Sequence, residues 1–158
     1  MKNTTYAEQI RYLTLLLGVI QVTFGCFVGF IPPTAVLWFR GIVMAHIEFT
    51  ANGVLLVVLG LLVREMQLGM KTFWIWFFAL QIATWFNGAS GLMAAFSGQS
   101  SKLLTTTNTA FPPPNGMDNN AVSAFLMISG IAVLIGLILT IFGLVIKHRD
   151  KTNTDLSL

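Results

Sequence analysis

Three side chains able to bind or orient a ligand lie close together in the segment AHIEFTANG, which holds His46, Glu48 and Asn52. The surrounding sequence, GIVMAHIEFTANGVLLVVLGLLV, is otherwise apolar and is long enough to cross a bilayer as a helix, which takes about 20 residues. Ionisable groups are costly at membrane depth and usually mark a functional site. An imidazole, a carboxyl group and an amide in such a helix therefore indicate a site that binds or orients a ligand.

His46 is the first candidate ligand, because the other histidine, His148, lies in the charged segment KHRDK. A neutral imidazole in a dry site binds a transition metal through one ring nitrogen while a neighbouring acceptor holds the other. Zinc needs several nitrogen or sulfur ligands, and no second histidine or cysteine stands at ligand spacing from His46 in the apolar runs. A haem supplies its own ring nitrogens and asks for a single axial ligand. His46 is thus predicted to bind haem iron, and the alternative is a histidine that only hydrogen-bonds between helices.

Helical geometry places a stripe of small or flat side chains beside the imidazole. At about 100° per residue, several residues fall within about 40° of His46 on the helix surface. They are Thr50, Gly53, Val57 and Gly60. This stripe predicts a surface on which a planar macrocycle lies.

Asn52 and Glu48 point elsewhere, since Asn52 is about 120° from His46 around the helix and Glu48 is nearly opposite. Asn52 is therefore predicted to act in a different pocket, on the distal side of a cofactor bound by a neighbouring copy. We expect Glu48 to be protonated or paired across a helix interface, and to contribute to stability more than to catalysis. The segment TWFNGASG adds Asn87, whose amide either orients a substrate oxygen or holds two helices together.

Long apolar runs supply the elements that position these residues. The chain has 158 residues, of which 55% are hydrophobic and only 9% charged, whereas soluble domains have about 25% charged residues. Four runs are long enough to span a bilayer: 12–31, 41–63, 72–96 and 121–146. Backbone groups in lipid must bond internally, so these runs are predicted to be helices. We expect an all-α membrane protein with one integral domain over residues 1–158, folded as an antiparallel four-transmembrane-helix bundle.

Glycines recur at seven-residue steps in three of the runs. The pairs are Gly18 and Gly25, Gly53 and Gly60, and Gly136 and Gly143. Such stripes predict close packing between helices of one chain or of neighbouring copies. A small bundle is expected to build its site at subunit interfaces, so we expect a homo-oligomer. The polar loop 97–120, rich in Thr, Asn and Pro, either caps the outer mouth of a pocket or is only a connection.

Basic residues predict the orientation in the membrane. Most lie in the two tails and in the turn between the second and third runs: Lys2, Arg11, Arg64, Lys71, Lys147, Arg149 and Lys151. The opposite side carries Arg40 and Lys102. The positive-inside rule then places both termini in the cytoplasm. The net charge of +3 reflects this topology and anionic membrane lipid, and without a basic-aromatic pattern no nucleic acid is expected as a partner.

Four short motifs resemble styrene oxide isomerase, the small four-span membrane enzyme of bacterial styrene breakdown. They are AH(x5)NG in the second run, W-x-N in the third, the Pro/Asn/Gly/Asp loop, and SAFLM at the start of the fourth. The resemblance implies a trimer in the bacterial inner membrane with b-type haem between subunits, whose ferric iron opens an epoxide to an aldehyde by a 1,2-shift. It implies that His46 is the axial ligand and that Asn52 contacts the oxygen of a small lipophilic epoxide. Trp85 and Asn87 match the third-span motif, which gives Asn87 a substrate-binding role.

Three positions depart from the family pattern. Gly91 stands where the family has a tyrosine, Ala83 where it has an aspartate, and Glu48 where it has a small uncharged residue. The resemblance therefore implies haem binding more strongly than epoxide chemistry. Besides the haem b-dependent isomerase, two functions stay open. One is a haem-binding protein without isomerase activity, for electron transfer, sensing or as an accessory subunit, and the other is a cofactor-free transporter or scaffold with a Glu48–Arg40 ion pair.

Overall fold

The computed structural model describes residues 2–155, with the side chains of 6–149 and of 152. The helices in that range are α1 (Lys2–Gly29), α2 (Phe39–Leu62), α3 (Met70–Ser97), α4 (Thr105–Ala110) and α5 (Asn120–Asp155). Short 3-10 turns lie at Pro33–Ala35, Val63–Glu65 and Lys102–Leu104. The predicted all-α class is confirmed. The side chains of Lys2 and Lys151, which enter the orientation argument, lie outside the described residues, as do residues 1 and 156–158 of the predicted single domain.

Each long helix covers all or nearly all of the apolar run that predicts it, but α1 and α5 extend well beyond their runs. α1 begins at Lys2, well before the run at 12–31, and α5 continues to Asp155. Adding a residue to an existing helix costs little compared with starting one, so polar residues outside the apolar core extend both helices. α1 ends at Gly29 because Pro32 follows and disfavours helical backbone before it.

Three helices are long and apolar enough to cross a membrane, judged by length and composition over the described residues. They are Tyr6–Gly29, Phe39–Glu65 and Asn120–Arg149. α3 has 28 residues but is not among them. The predicted span at 72–96 is a helix, and its crossing of the bilayer stays a prediction.

Backbone contact between α1 and α2 fixes the part of the bundle that carries His46. A Cβ atom placed on Gly18 would lie 2.9 Å from the Gly53 carbonyl oxygen, and one on Gly25 would lie 2.8 Å from the Thr50 nitrogen. Increasing residue numbers on α1 therefore meet decreasing numbers on α2, so the two helices are antiparallel. The predicted close-packing role of these glycines is confirmed, within one chain.

α3 lies between α2 and α5 and is antiparallel to both. Gly91 on α3 packs on α2, where a Cβ atom on it would lie 2.8 Å from the Ala45 nitrogen. On the other side, the Trp76 indole Nε1 donates a hydrogen bond of 2.8 Å to Thr140 Oγ1 of α5, and both side chains are buried. The long helices are therefore packed in the order α1, α2, α3, α5, with further contacts between α1 and α3.

Ion pairs hold one end of the bundle together. Arg64 Nε lies 2.9 Å from Glu8 Oε1, and Lys147 Nζ lies 3.4 Å from Glu65 Oε2. Lys147 also donates a hydrogen bond to the Arg64 carbonyl oxygen. The beginning of α1 and the ends of α2 and α5 therefore share this end, as the antiparallel order requires.

The loop at the opposite end is folded back on itself. Ser101 and Asp118 form an isolated antiparallel bridge, and Lys102 Nζ lies 2.5 Å from Asp118 Oδ1. The hydrogen bond to Asp118, aided by charge attraction, raises the pKa of Lys102 above its usual value. Gly98 adopts φ 65° and ends α3 in the left-handed region that favours glycine. These contacts bring residues 105–112 over the beginning of α2.

Candidate functional site

His46 lies on the α1 side of α2 and is held by the backbone of α1. Its Nδ1 is 2.8 Å from the Gly25 carbonyl oxygen, which accepts only, so Nδ1 carries the proton and donates. The imidazole Nε2 is then the unprotonated nitrogen, and it has no hydrogen-bond partner among the described residues. A metal-bound histidine typically shows this arrangement, with one nitrogen fixed by a carbonyl and the other available as a ligand.

Close packing leaves no room for a flat ring along the stripe below His46. A Cβ atom on Gly53 would lie 2.7 Å from the Gly18 carbonyl oxygen, and one on Gly60 would lie 3.0 Å from Leu15 side-chain atoms. The prediction that a macrocycle lies on Thr50, Gly53, Val57 and Gly60 is therefore wrong for this chain, because α1 covers that stripe. A ligand of Nε2 must approach along another side of α2.

Glu48 and Asn52 lie on the α3 side of α2, as the helical geometry predicts. The Asn87 amide of α3 donates to Glu48 Oε2, so Glu48 is paired across a helix interface and that prediction is confirmed. Asn52 Nδ2 lies 3.5 Å from Glu48 Oε2 and 3.5 Å from the Thr84 carbonyl oxygen. Both of these distances are at the long limit for hydrogen bonds, so the Asn52 amide stays available to a closer acceptor.

The structure brings Asn52 and Asn87 together around Glu48, and it places His46 on a different face of α2. The side chains of His46 and Asn52 in one chain therefore face different sides of the helix. The predicted role of Asn52 in a pocket of a neighbouring copy agrees with this separation. It stays a prediction, as does the substrate-binding role of Asn87.

Aromatic side chains fill the space between α1, α2 and α3 next to these polar groups. The rings of Phe24 and Phe49 lie 4.9 Å apart, and Trp85 lies 5.7 Å from Phe49. The Trp85 indole Nε1 also donates a 3.3 Å hydrogen bond to Gln81 Oε1. Trp85 therefore packs against apolar rings on its α1 side, and its hydrogen bond to Gln81 of the same helix fixes the orientation of its indole ring.

Both departures from the family pattern in α3 coincide with tight helix packing. Gly91 contacts the backbone of Ala45, and a larger side chain there would force α2 and α3 apart. The carbonyl oxygen of Ala83 accepts a 2.7 Å hydrogen bond from the Ser129 hydroxyl of α5, and Ala83 itself is buried. These two positions act in packing, which gives a physical reason for small residues at both.

A test of Glu48 follows from its contacts. Glu48→Ala removes the acceptor for the half-buried amides of Asn87 and Asn52, and a fully buried amide left without a partner costs about 1–3 kcal/mol, which is the upper limit here. We expect a lower melting temperature in detergent for this variant. Glu48→Gln, which keeps an acceptor oxygen, should melt close to the wild type and retain the same cofactor content. Equal melting of wild type and Glu48→Ala would show that the cluster does not stabilise the fold.

An open cleft lies at the outer end of α2. It has a volume of about 490 Å³ and is lined by the beginning of α2 and the loop, through Trp38, Phe39, Arg40, Val43 and residues 110–112. The Arg40 guanidinium carbon lies 4.5 Å above the centre of the Phe111 ring. The loop thus lines a cleft, and its predicted role as the cap of a pocket stays a prediction.

The proposed ion pair between Arg40 and Glu48 is wrong for the described residues. Eight residues separate the two along α2, which is about 12 Å of helix, and each side chain has other partners.

Sequence reasoning also missed the Gly25 carbonyl as the partner of His46. The four-residue spacing of Gly25 and Gly29 indicates that another helix packs closely on α1. It does not indicate the register between α1 and α2, which decides that Gly25 lies beside His46.

Three helices long and apolar enough to span a bilayer place the chain in the class of helical membrane proteins. The family model for styrene oxide isomerase matches residues 10–145. The chain therefore belongs to the styrene oxide isomerase family. Comparisons with curated proteins and with solved structures gave no significant match.

Proposed function

We propose that the protein is a haem b-dependent membrane isomerase that opens a small lipophilic or aryl epoxide, of the styrene oxide type, to an aldehyde. The observation that carries the proposal is the hydrogen bond from His46 Nδ1 to the Gly25 carbonyl oxygen, which leaves Nε2 as a ready axial ligand. Family membership over residues 10–145 supports the reaction type. The residues present therefore fit the cofactor.

The haem, when bound, supplies an iron that acts as a Lewis acid toward the epoxide oxygen. His46 would hold the cofactor, and the Gly25 carbonyl would fix the tautomer and the plane of its ring. The Asn52 amide would donate to the substrate oxygen and aim it, since its present contacts are long. In the reaction one ring C–O bond breaks, a hydride moves to the neighbouring carbon and a C=O bond forms. No electrons enter or leave.

Exclusion of water is the second contribution of the chain. A positively polarised carbon next to a water molecule would give a diol instead of an aldehyde, so the site must be dry. Side chains such as Phe24, Phe49 and Trp85 make the region between α1, α2 and α3 apolar. They suit an aromatic substrate by shape and polarity.

The same proposal includes the setting of the site. We infer that α3 is a fourth span, that both termini face the cytoplasm of a bacterial inner membrane, and that the chain forms a homotrimer. Two observations support this setting: His46 and Asn52 serve different faces of α2, and basic residues concentrate at the end that holds Arg64 and Lys147. A partner copy would bring an Asn52 to the cofactor that His46 binds.

A second candidate is a haem-binding protein without isomerase activity. It is favoured by the Glu48 cluster, because the amides of both Asn52 and Asn87 point at Glu48. One sample of detergent-purified protein separates the candidates through its absorption spectrum and its products from styrene oxide. Haem with aldehyde formation supports the isomerase, haem without aldehyde supports the second candidate, and a colourless protein contradicts both.

Asn52→Ala tests the role of the amide. The variant should keep the haem content of the wild type, because Asn52 lies away from His46. Its kcat/KM for styrene oxide should fall by about 10²-fold, the usual loss when one donor to a developing oxyanion is removed. Asn120→Ala, an exposed asparagine at the beginning of α5, is the matched control and should behave as wild type. Unchanged turnover in Asn52→Ala would remove Asn52 from the mechanism.

A further inference from the structure

Arg40 is a cation without a counter-ion in the described part of the chain. Its side chain is half-buried, its Nε is buried without a hydrogen-bond partner, and its one described contact is the face of Phe111. Placing a guanidinium in such surroundings is costly unless an anion shares the site. The cleft of about 490 Å³ beside it has the size of a small-molecule site.

Every carboxylate whose side chain is described has another partner. Glu8 pairs with Arg64, Glu65 with Lys147, and Asp118 with Lys102, while Glu48 accepts from Asn87 and Asn52. The protein thus supplies no described anion to Arg40. The Arg40 guanidinium is therefore available to an anion that enters the cleft.

An exposed apolar side of α2 follows the cleft along the helix. Val43 forms the lower wall of the cleft and lies one turn above His46, about 4.5 Å along the helix and about 60° around it. Below Val43, the same side of α2 is exposed and apolar through Ile47, Val54, Val58 and Leu61. A molecule that fits this surface has an anionic end beside Arg40 and a large apolar body that extends past the level of His46.

We propose that Arg40 is the counter-ion for the carboxylates of the haem, and that the outer cleft is where this anionic edge of the cofactor lies. The inference rests on the proposed function, which makes His46 the axial ligand. Arg40 and His46 then hold two chemically different parts of one molecule from one helix. Phe111 would position the guanidinium by stacking, so the loop contributes to cofactor binding through Arg40.

The test uses full-length, haem-free protein in detergent, titrated with ferric haem b and with its dimethyl ester, in which both carboxylates are capped. Wild type should bind haem b at least about tenfold more tightly than the ester, as expected for a charge-assisted contact. Arg40→Gln should bind haem b only as weakly as wild type binds the ester. Its own affinity for the ester should equal that of wild type. Arg40→Lys should keep part of the preference.

Lys71→Gln is the matched control, since it removes one exposed positive charge at the beginning of α3, away from the cleft and its loop, and it should behave as wild type. Phe111→Leu keeps the charge but removes the ring that holds it, and it should show a reduced preference for haem b. This second variant keeps the test valid if Arg40→Gln does not fold.

Four results would overturn the inference. Equal binding of haem b and ester by wild type refutes it while leaving the proposed function in place. Equal weakening of both ligands by Arg40→Gln would mean that Arg40 supports the fold. If wild type binds haem b and the ester equally, and if phosphatidylglycerol is retained by wild type but lost from Arg40→Gln, the cleft binds a lipid phosphate. Failure of wild type to bind either ligand would instead refute the proposed function, and the inference with it.

Discussion

His46→Ala is expected to abolish most haem binding, and with it the Soret band and the turnover of styrene oxide. His46 is the histidine at membrane depth, and its Nδ1 hydrogen bond to Gly25 presents Nε2 as a ligand. Alanine supplies no ligand to iron, and the other histidine, His148, is exposed near the end of α5. The ratio of Soret to protein absorbance in the purified variant measures the effect directly.

The matched control for this experiment is His148→Ala. His148 is exposed near the end of α5, far along the chain from the α1–α2 interface, so its loss should leave haem content and turnover unchanged. A folded His46→Ala protein with the elution profile of wild type and a full Soret band would contradict the axial assignment. The catalytic role built on that assignment would then fail as well.

Gly53→Leu is expected to give the largest loss of stability among single glycine substitutions at the α1–α2 interface. A Cβ atom on Gly53 would lie 2.7 Å from both the Gly18 carbonyl oxygen and the Val22 nitrogen, which are backbone atoms that cannot rotate away. The two helices must separate to admit a larger side chain, and over-packing costs about 1–3 kcal/mol. We expect the melting temperature in detergent to fall by about 5 °C or more.

Gly53→Leu should also retain less cofactor than wild type, because the same α1–α2 interface carries the hydrogen bond between His46 and Gly25. Gly130→Leu is the control: it makes the same chemical change in a helix, at a glycine with open space around its Cβ position. Leucine is favoured over glycine in a helix by about 1 kcal/mol, so this control should melt at or above the wild-type temperature. Similar melting of the two variants would show that the α1–α2 contact is not tight.

The helices of this protein could be predicted from the sequence because apolar runs of membrane length leave few alternatives for the backbone. Their ends were harder to place. α1 extends to Lys2 and α5 to Asp155 because helix continues outside lipid wherever nothing stops it, and hydropathy does not detect that extension. The glycine stripes correctly predicted close contact, although spacing alone did not say which helix each stripe would meet.

Within the site, helical geometry correctly separated His46 from Glu48 and Asn52, because the angle between residues is a property of one helix. Helical geometry did not predict what covers the stripe at Gly53 and Gly60, because that depends on a neighbouring helix. α1 occupies the surface that was predicted to hold the cofactor. The sequence alone assigns Arg40 only to membrane topology or to an ion pair with Glu48. Its contact with Phe111 depends on the path of a loop that no periodic pattern predicts.

Haem-dependent turnover tests most directly whether this chain uses haem to isomerise an epoxide. Purified protein, depleted of haem and then restored with ferric haem b, should be assayed for aldehyde formation from styrene oxide without any electron donor. We predict activity only after restoration, in proportion to the haem bound through His46. Haem-loaded wild-type protein that forms no aldehyde from styrene oxide or related lipophilic epoxides, or haem-free protein that forms it equally well, would contradict the claim.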